Sequence, residues 1–411
     1  MAHPSPQVCI RCKGKLLCGM PYCPILERYS SHRQAFSSIT NNELSGSSPP
    51  AVFVSWKNYP KVGFSPLAPA GEHNTALFDS PEKWFGKAQQ EIIGFRERLV
   101  GARTNLDAGS AANPGRLLGE MQEMAMSDRP TDVEIKLDRA PSPKLSFSAF
   151  SAPTGPSANL EKFTLAENPH IPQKVDYLVS DTDVKSSIAL SELFDSDIPV
   201  SYLHKILSAG LLGVKKNRKL VPTRWSITAV DSNLSEHLLD KIRYSPTIDE
   251  IRIFHSAYLD NHFYTVLFPS AWQFEQLEAW LPGASWNVNS PSANVIQDHE
   301  PFRGRKKYAS NVEGAYYAAR LAVAEYLRDE NAQAACLVFR EIGNDYNIPL
   351  GVWVIRETMR DAMKKKPLTF QGRKLAFSYL SRKLKVPMKL YEKKSKLLDS
   401  LKHQTQLAQW A

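Results

Sequence analysis

Four of the five cysteines lie in one short N-terminal run: Cys9, Cys12, Cys18 and Cys23. Two residues separate the first pair, so two thiolates can reach one ion from a single tight turn. The later pair completes four soft ligands, the closed set that structural zinc prefers. Gly14 and Gly19 fall just after the second and third cysteines, where a knuckle favours residues without a Cβ. Two disulfides or free thiols are the competing reading, disfavoured because no secretory signal is present and reduced compartments keep thiols reduced. Cysteine ligation also serves iron–sulfur clusters, which makes such a cluster the second metal reading. Cys336 stands apart in an apolar context and reads as a core residue.

Two further groups of residues have types suited to chemistry. Asp132, Glu134 and Asp138 alternate with Val133, Ile135 and Leu137, which places the three carboxylates on one face of a strand. Asp298, His299 and Glu300 precede Arg303, Arg305, Lys306 and Lys307 in one polar stretch. Carboxylates with an imidazole suit a metal-dependent hydrolase or nuclease acting on damaged DNA or nucleotides, provided they converge. The blander readings are a solvated strand face and an ordinary charged loop.

The charge balance points to a polyanionic partner. The chain of 411 residues carries 51 basic and 42 acidic side chains, a net charge of +9. The excess sits late: from residue 301 onward the net is +12, and the remainder is −3. Nucleic acid is the commonest partner of such a surface, although many basic surfaces are merely solvated. No apolar run approaches a membrane span and no targeting segment is present, so a cytoplasmic protein without a membrane partner is expected.

The elements that must position these residues read as a mixed α+β chain. Residues 51–56 form a strand candidate. Ser80, Pro81 and Glu82 make a helix start, and the helix is predicted to run to about Val100 with Trp84, Ala88, Ile92 and Phe95 on one face. Residues 131–138 form a half-buried strand, and residues 140–157 a linker. Helices over 184–194 and 200–209, the basic turn of Lys215, Lys216, Arg218 and Lys219, and a strand-like stretch from Trp225 together outline a winged helix. In such a fold those four residues and Arg224 meet phosphates, while Tyr202, His204 and Lys205 are the few base-reading groups of the second helix. Further on come a hairpin over 248–268, a helix over 270–281 carrying Trp272, Phe274, Leu277 and Trp280, a helix over 313–328, a strand over 334–340 and a helix over 349–366.

Residues 389–402 are Lys-rich and read as an exposed or frayed helix leading to the terminal Gln404, Leu407 and Trp410. A glutamine, an aliphatic residue three later and an aromatic three beyond that fit a sliding-clamp-interacting peptide (PIP motif). One 3₁₀ turn puts Leu407 and Trp410 on one side as an apolar plug, and Gln404 enters a polar pocket. Ala411 stands where a second aromatic is usual, which weakens the plug.

The cysteine knuckle, residues 215–228, residues 298–302 and the terminal peptide together resemble the archaeal Nre family of DNA repair proteins across essentially the whole chain. The resemblance implies a repair factor that engages the sliding clamp, PCNA, through Gln404, Leu407 and Trp410, with Zn2+ on Cys9, Cys12, Cys18 and Cys23. Other repair proteins are further expected partners, and no catalytic residue is implied. The expected partition is a zinc knuckle over 1–30, an α/β region over 31–165, a winged-helix-like segment over 166–235, an α+β domain over 236–388 and a flexible basic tail over 389–411.

Overall fold

The structure, a computed structural model, describes residues 15, 23, 42–69, 74–141, 155–284, 287, 290–346 and 348–403. Cys9, Cys12, Cys18, Gln404, Leu407 and Trp410 lie outside these residues. The described residues form two compact units, one up to residue 234 and one from residue 235 onward. The predicted mixed α+β class holds in both. No helix among the described residues is long and apolar enough to cross a membrane.

The first unit is built on a six-stranded mixed sheet. Its strands are β1 (Glu43–Ser48), β2 (Ala51–Val54), β3 (Lys61–Pro69), β4 (Leu99–Asp107), β5 (Thr131–Leu137) and β6 (Ser157–Leu165), in the order β1-β5-β6-β4-β3-β2. Strict alternation in β5 buries Val133, Ile135 and Leu137 as expected. The helices are α1 (Gln89–Glu97), α2 (Arg116–Ala125), α3 (Gln173–Ser180), α4 (Ser186–Phe194), α5 (Val200–Ser208) and α6 (Thr223–Ile242), the last running through the boundary between the units.

Two expectations fail here. The helix predicted over 80–100 is a short 3₁₀ turn (Pro81–Lys83) followed by α1, because Gly86 adopts a left-handed φ of 87° between them. Its last residues, Leu99 and Val100, instead open strand β4, whose first four residues are buried. The winged helix also lacks its wing. α4 and α5 are present, but Lys215–Asn217 form a 3₁₀ turn and Trp225 lies in the first turn of α6. The β-branched residues Ile227 and Thr228 suggest a strand, but Ser226, Val230, Leu234, Leu238 and Ile242 are buried at a helical spacing of four, and that stripe decides the outcome.

The second unit sandwiches another six-stranded mixed sheet between helices. Its strands are β7 (Ile251–Tyr258), β8 (Asn261–Phe268), β9 (Gln273–Trp280), β10 (Asn294–Glu300), β11 (Ala335–Ile342) and β12 (Leu368–Phe370), in the order β10-β9-β11-β8-β7-β12. Helices α7 (Gly314–Asp329) and α8 (Trp353–Met363) pack together, and α8 lies on β7 and β8. On the other face, α9 (Arg373–Lys383), α10 (Met388–Glu392) and α11 (Lys396–His403) bury Ala376, Leu380, Tyr391, Leu397 and Leu401 against Leu337, Phe339, Val266 and Leu277.

β9 replaces the helix predicted over 270–281. Glu275 and Glu278 make that stretch look amphipathic, yet both are buried because each carboxylate has partners. Glu278 accepts 2.7 Å from Arg340, which also donates to Asn261. Glu275 accepts from the Ser395 hydroxyl and from the backbone N–H groups of Lys396 at 2.8 Å and Leu397 at 3.1 Å, capping α11. The Lys-rich segment is therefore docked, not frayed. Glu341 repeats the device, accepting from Lys385 N–H (2.9 Å), Val386 N–H (2.8 Å) and the Tyr391 hydroxyl (3.0 Å).

Removing that carboxylate strands three donors in a buried site. Glu341→Ala is expected to lower stability by about 2–4 kcal/mol and to raise amide exchange in α10 and α11, as read by urea unfolding and hydrogen exchange. A loss below about 0.5 kcal/mol would contradict the docking role.

Candidate nucleic-acid interface

A basic and aromatic face forms in the first unit where three chain segments meet. The β2–β3 connection is an exposed turn, closed by a hydrogen bond from Tyr59 N–H to the Trp56 carbonyl, with Asn58 at a left-handed φ of 67°. Its Pro60 carbonyl accepts 2.8 Å from Ala108 N–H, and the Ala108 carbonyl accepts 2.8 Å from Leu220 N–H. Val54 N–H donates 2.9 Å to the Thr223 hydroxyl. The turn of residues 56–60, the 3₁₀ turn Ala108–Ala112 and the segment 215–225 are thus laced side by side. Gly210 allows the close approach: it has a φ of 73°, and a Cβ there would stand 2.5 Å from that of Ala111.

Six cations stand exposed on these segments: Lys57, Lys61, Lys215, Lys216, Lys219 and Arg224. Among them are Trp56, Tyr59 and Trp225, with relative exposures of 51%, 43% and 45%. The Tyr59 and Trp225 rings lie 5.2 Å apart at 57°. Asp107, the acid paired with Lys61 in the sheet, turns its carboxylate to Gly109 N–H. Sequence reasoning finds Lys215, Lys216, Lys219 and Arg224 but misses the aromatics and Lys57 and Lys61. The signal available was the stretch Trp56–Lys61, where aromatic and basic residues interleave around Asn58 and Pro60.

Arg218 departs from its expected role as a phosphate contact. Its guanidinium donates to the carbonyls of Gly213 (2.8 Å), Val179 (2.8 Å) and Asp181 (2.9 Å), pinning the basic turn from beneath. Burial lowers its pKa, and the Asp181 charge offsets part of that effect. The three side chains assigned to base reading on α5 also point inward. The Tyr202 hydroxyl donates to the Met126 carbonyl, His204 lies 3.4 Å from the buried Asp231, and Lys205 donates 3.1 Å to the Ser127 carbonyl while lying over the Tyr202 ring.

In the second unit, the polar stretch 298–307 divides. On β10, His299 faces the opposite side of the sheet from Asp298 and Glu300. Asp298 accepts from Arg305 (2.9 Å) and from the N–H groups of Asn311 (2.9 Å) and Val312 (2.8 Å). Glu300, fully buried, accepts from Trp272 Nε1 (3.1 Å) and Arg320 (2.7 Å). His299 approaches Gln273 at 3.3 Å; burial, with Lys396 and Arg305, lowers its pKa to about 4, so it is neutral at physiological pH. Arg305 is a structural tie, donating also to the carbonyls of His299, Lys307 and Tyr308 and lying over the Tyr316 ring. Arg303, Lys306 and Lys307 remain exposed. On β5, Asp132 and Glu134 are exposed beside Lys136. Among the described residues no group of three or more histidines, cysteines or carboxylates is placed to hold a metal ion. Of the four expected zinc ligands, only Cys23 falls within the described residues.

Among the described residues of the first unit, Lys205 is the one amine with a strongly shifted pKa. The residue keeps some exposure, but its ammonium end is enclosed. Burial lowers the pKa to about 7, and Asp79, Asp128 and Glu82 offset only part of that. The unfolded chain keeps this proton into the ordinary lysine range, so between about pH 7 and pH 10 it binds more protons than the folded chain. Stability at this position therefore rises with pH through that window. Relative to Lys205→Met, the wild type is expected to gain on the order of a few kcal/mol between about pH 6.5 and 9.5 in urea unfolding. A constant difference across that range would contradict an enclosed ammonium.

Two family descriptions cover nearly all of the chain: "Archaeal Nre, N-terminal" over residues 17–287 and "Archaeal Nre, C-terminal" over residues 300–410. A protein of Archaeoglobus fulgidus named DNA repair protein NreA is 40% identical over 92% of this chain and 93% of its own length. DNA repair protein NreB of the same organism is 36% identical over 97% of this chain and 98% of its own. DNA repair protein NreA of Haloferax volcanii is 35% identical over 83% of each. No solved structure matches the chain. The chain belongs to the archaeal Nre family.

Proposed function

We propose that this protein is a DNA-repair factor that binds DNA through the basic and aromatic face of residues 54–61, 107–112 and 215–225, and docks on the sliding clamp through Gln404, Leu407 and Trp410. The observation that carries the DNA reading is the backbone lacing that gathers six cations from separated segments onto one surface. The amines of Lys57, Lys61, Lys215, Lys216 and Lys219 make no ion pair with any described residue, in contrast to the engaged Arg218 and Arg305. Cations left this way are available to phosphates. The relatives' names, all DNA repair proteins, support the same reading.

Clamp docking rests on the terminal spacing, and zinc on Cys9, Cys12, Cys18 and Cys23 rests on theirs. The docked helices α10 and α11 bring ordered structure to His403, so the clamp peptide follows directly on a folded element. Zinc would supply a structural clip for the N-terminal run, with no catalytic part.

Each phosphate contact contributes about 0.9 to the slope of log affinity against log salt. Reversing Lys215, Lys216 and Lys219 to Glu is therefore expected to reduce that slope by about 3 and weaken DNA binding at least about tenfold at low salt. Unchanged binding would sink the DNA-face reading. Deleting residues 404–411 should abolish clamp association without changing the melting temperature; association that survives the deletion refutes the peptide assignment. Metal analysis should find about one zinc ion per chain, lost in Cys9→Ser/Cys12→Ser, and a metal-free wild type would rule the site out.

A further inference from the structure

The aromatic residues on the DNA face ask for something that phosphates alone do not. Trp56, Tyr59 and Trp225 hold about half of their surface in water, and they are three of the largest apolar groups that a chain can expose. An intact duplex presents sugars and phosphates to a basic surface, and lysines satisfy those without aromatic help. A base turned out of its stack presents a π-face, and exposed rings are what it pairs with. The tilt adds a geometric point. Tyr59 and Trp225 stand 5.2 Å apart at 57°, so bases stacked on their outer faces are splayed. A regular duplex keeps its bases parallel and cannot meet both.

We propose that Trp56, Tyr59 and Trp225 form a stacking platform for unpaired bases, which makes the preferred ligand of this face single-stranded DNA or a duplex with an open segment. This rests on the reading of the same face as a DNA surface, and it adds which form of DNA is bound. The flanking charge commits the platform to a nucleic acid and not to an apolar protein segment. Lys57 shares the turn with Trp56 and Tyr59, Lys61 opens the strand that follows, and Arg224 precedes Trp225 in α6. Alternation of cation and ring along both segments lets one polyanion engage phosphates and bases together. The platform is held by its own scaffold: Thr223, the residue two before Trp225, is fixed by Val54 N–H and lies 3.2 Å from the Ser208 hydroxyl.

The test uses the full chain and fluorescence anisotropy with a labelled oligothymidine of about 20 nucleotides, long enough to cover a site of this size, and a blunt duplex of the same length. The wild type should prefer the single strand. Trp56→Ala/Trp225→Ala should weaken single-strand binding by about tenfold or more and leave duplex binding within about twofold. Trp56→Phe/Trp225→Phe should restore most of the loss, which a merely disrupted surface would not allow, and circular dichroism of each variant controls for folding. Equal loss on both ligands, or no loss on the single strand, overturns the platform. If the Lys215/Lys216/Lys219 reversal weakens both ligands while the aromatic variant weakens neither, the DNA face stands and only the stacking proposal falls. If the wild type binds neither ligand at low salt, the DNA face itself falls, and the aromatics are then a protein-docking patch.

Discussion

The Pro60 carbonyl accepts from Ala108, the Ala108 carbonyl accepts from Leu220, and the Thr223 hydroxyl accepts from Val54. These contacts tie together segments that lie up to 169 positions apart in sequence, and they decide where the cations of the first unit stand. Lys57 belongs to a β-turn and Lys61 opens the strand after it, while Lys215, Lys216 and Lys219 lie in the connection between α5 and α6 and Arg224 in the first turn of α6. Without the lacing they are two ordinary solvated patches. With it they surround three aromatic rings on one face. Arg218 contributes in a different way, by closing the base of the turn through three carbonyls, so the neighbouring lysines are presented and not consumed.

The second unit uses charge for the opposite purpose. Glu275, Glu278, Glu300 and Glu341 are buried, and each is matched by backbone N–H groups, hydroxyls or an arginine. A buried carboxylate with that many donors specifies one docking arrangement, because displacing its partners leaves a stranded charge. The C-terminal helices are seated in this way, which turns a Lys-rich segment into one face of a core with its lysines on the outside. The basic excess after residue 301 is therefore distributed over a folded surface as well as along the segment that leads to the terminus.

How legible this was in the sequence varies with the kind of information each element needs. β5, the β7–β8 hairpin, α4, α5, α7 and β11 follow from local periodicity, and the structure places them as expected. β9 is not legible locally, because its buried glutamates depend on partners that lie far along the chain. The wing was misread because Ile227 and Thr228 favour strands locally, while the buried stripe of α6 is a tertiary fact. The aromatic platform is the clearest case. Trp56 and Tyr59 border a strand candidate, and only the structure shows both exposed and Tyr59 met by Trp225 from another segment. The cations of the laced face are legible as a charge run, but that Arg218 and Arg305 are engaged with carbonyls and a carboxylate is not.

The central claim is that DNA lies across the laced face of the first unit with bases against its rings. Ultraviolet crosslinking of a single-stranded oligonucleotide to the full chain, followed by mass spectrometry of the crosslinked peptides, reports aromatic contact directly. Crosslinks should map to Trp56, Tyr59 and Trp225, and disappear from those peptides at high salt. Crosslinks confined to residues 235–411, or none at the three aromatics under conditions where binding is saturated, would contradict the account.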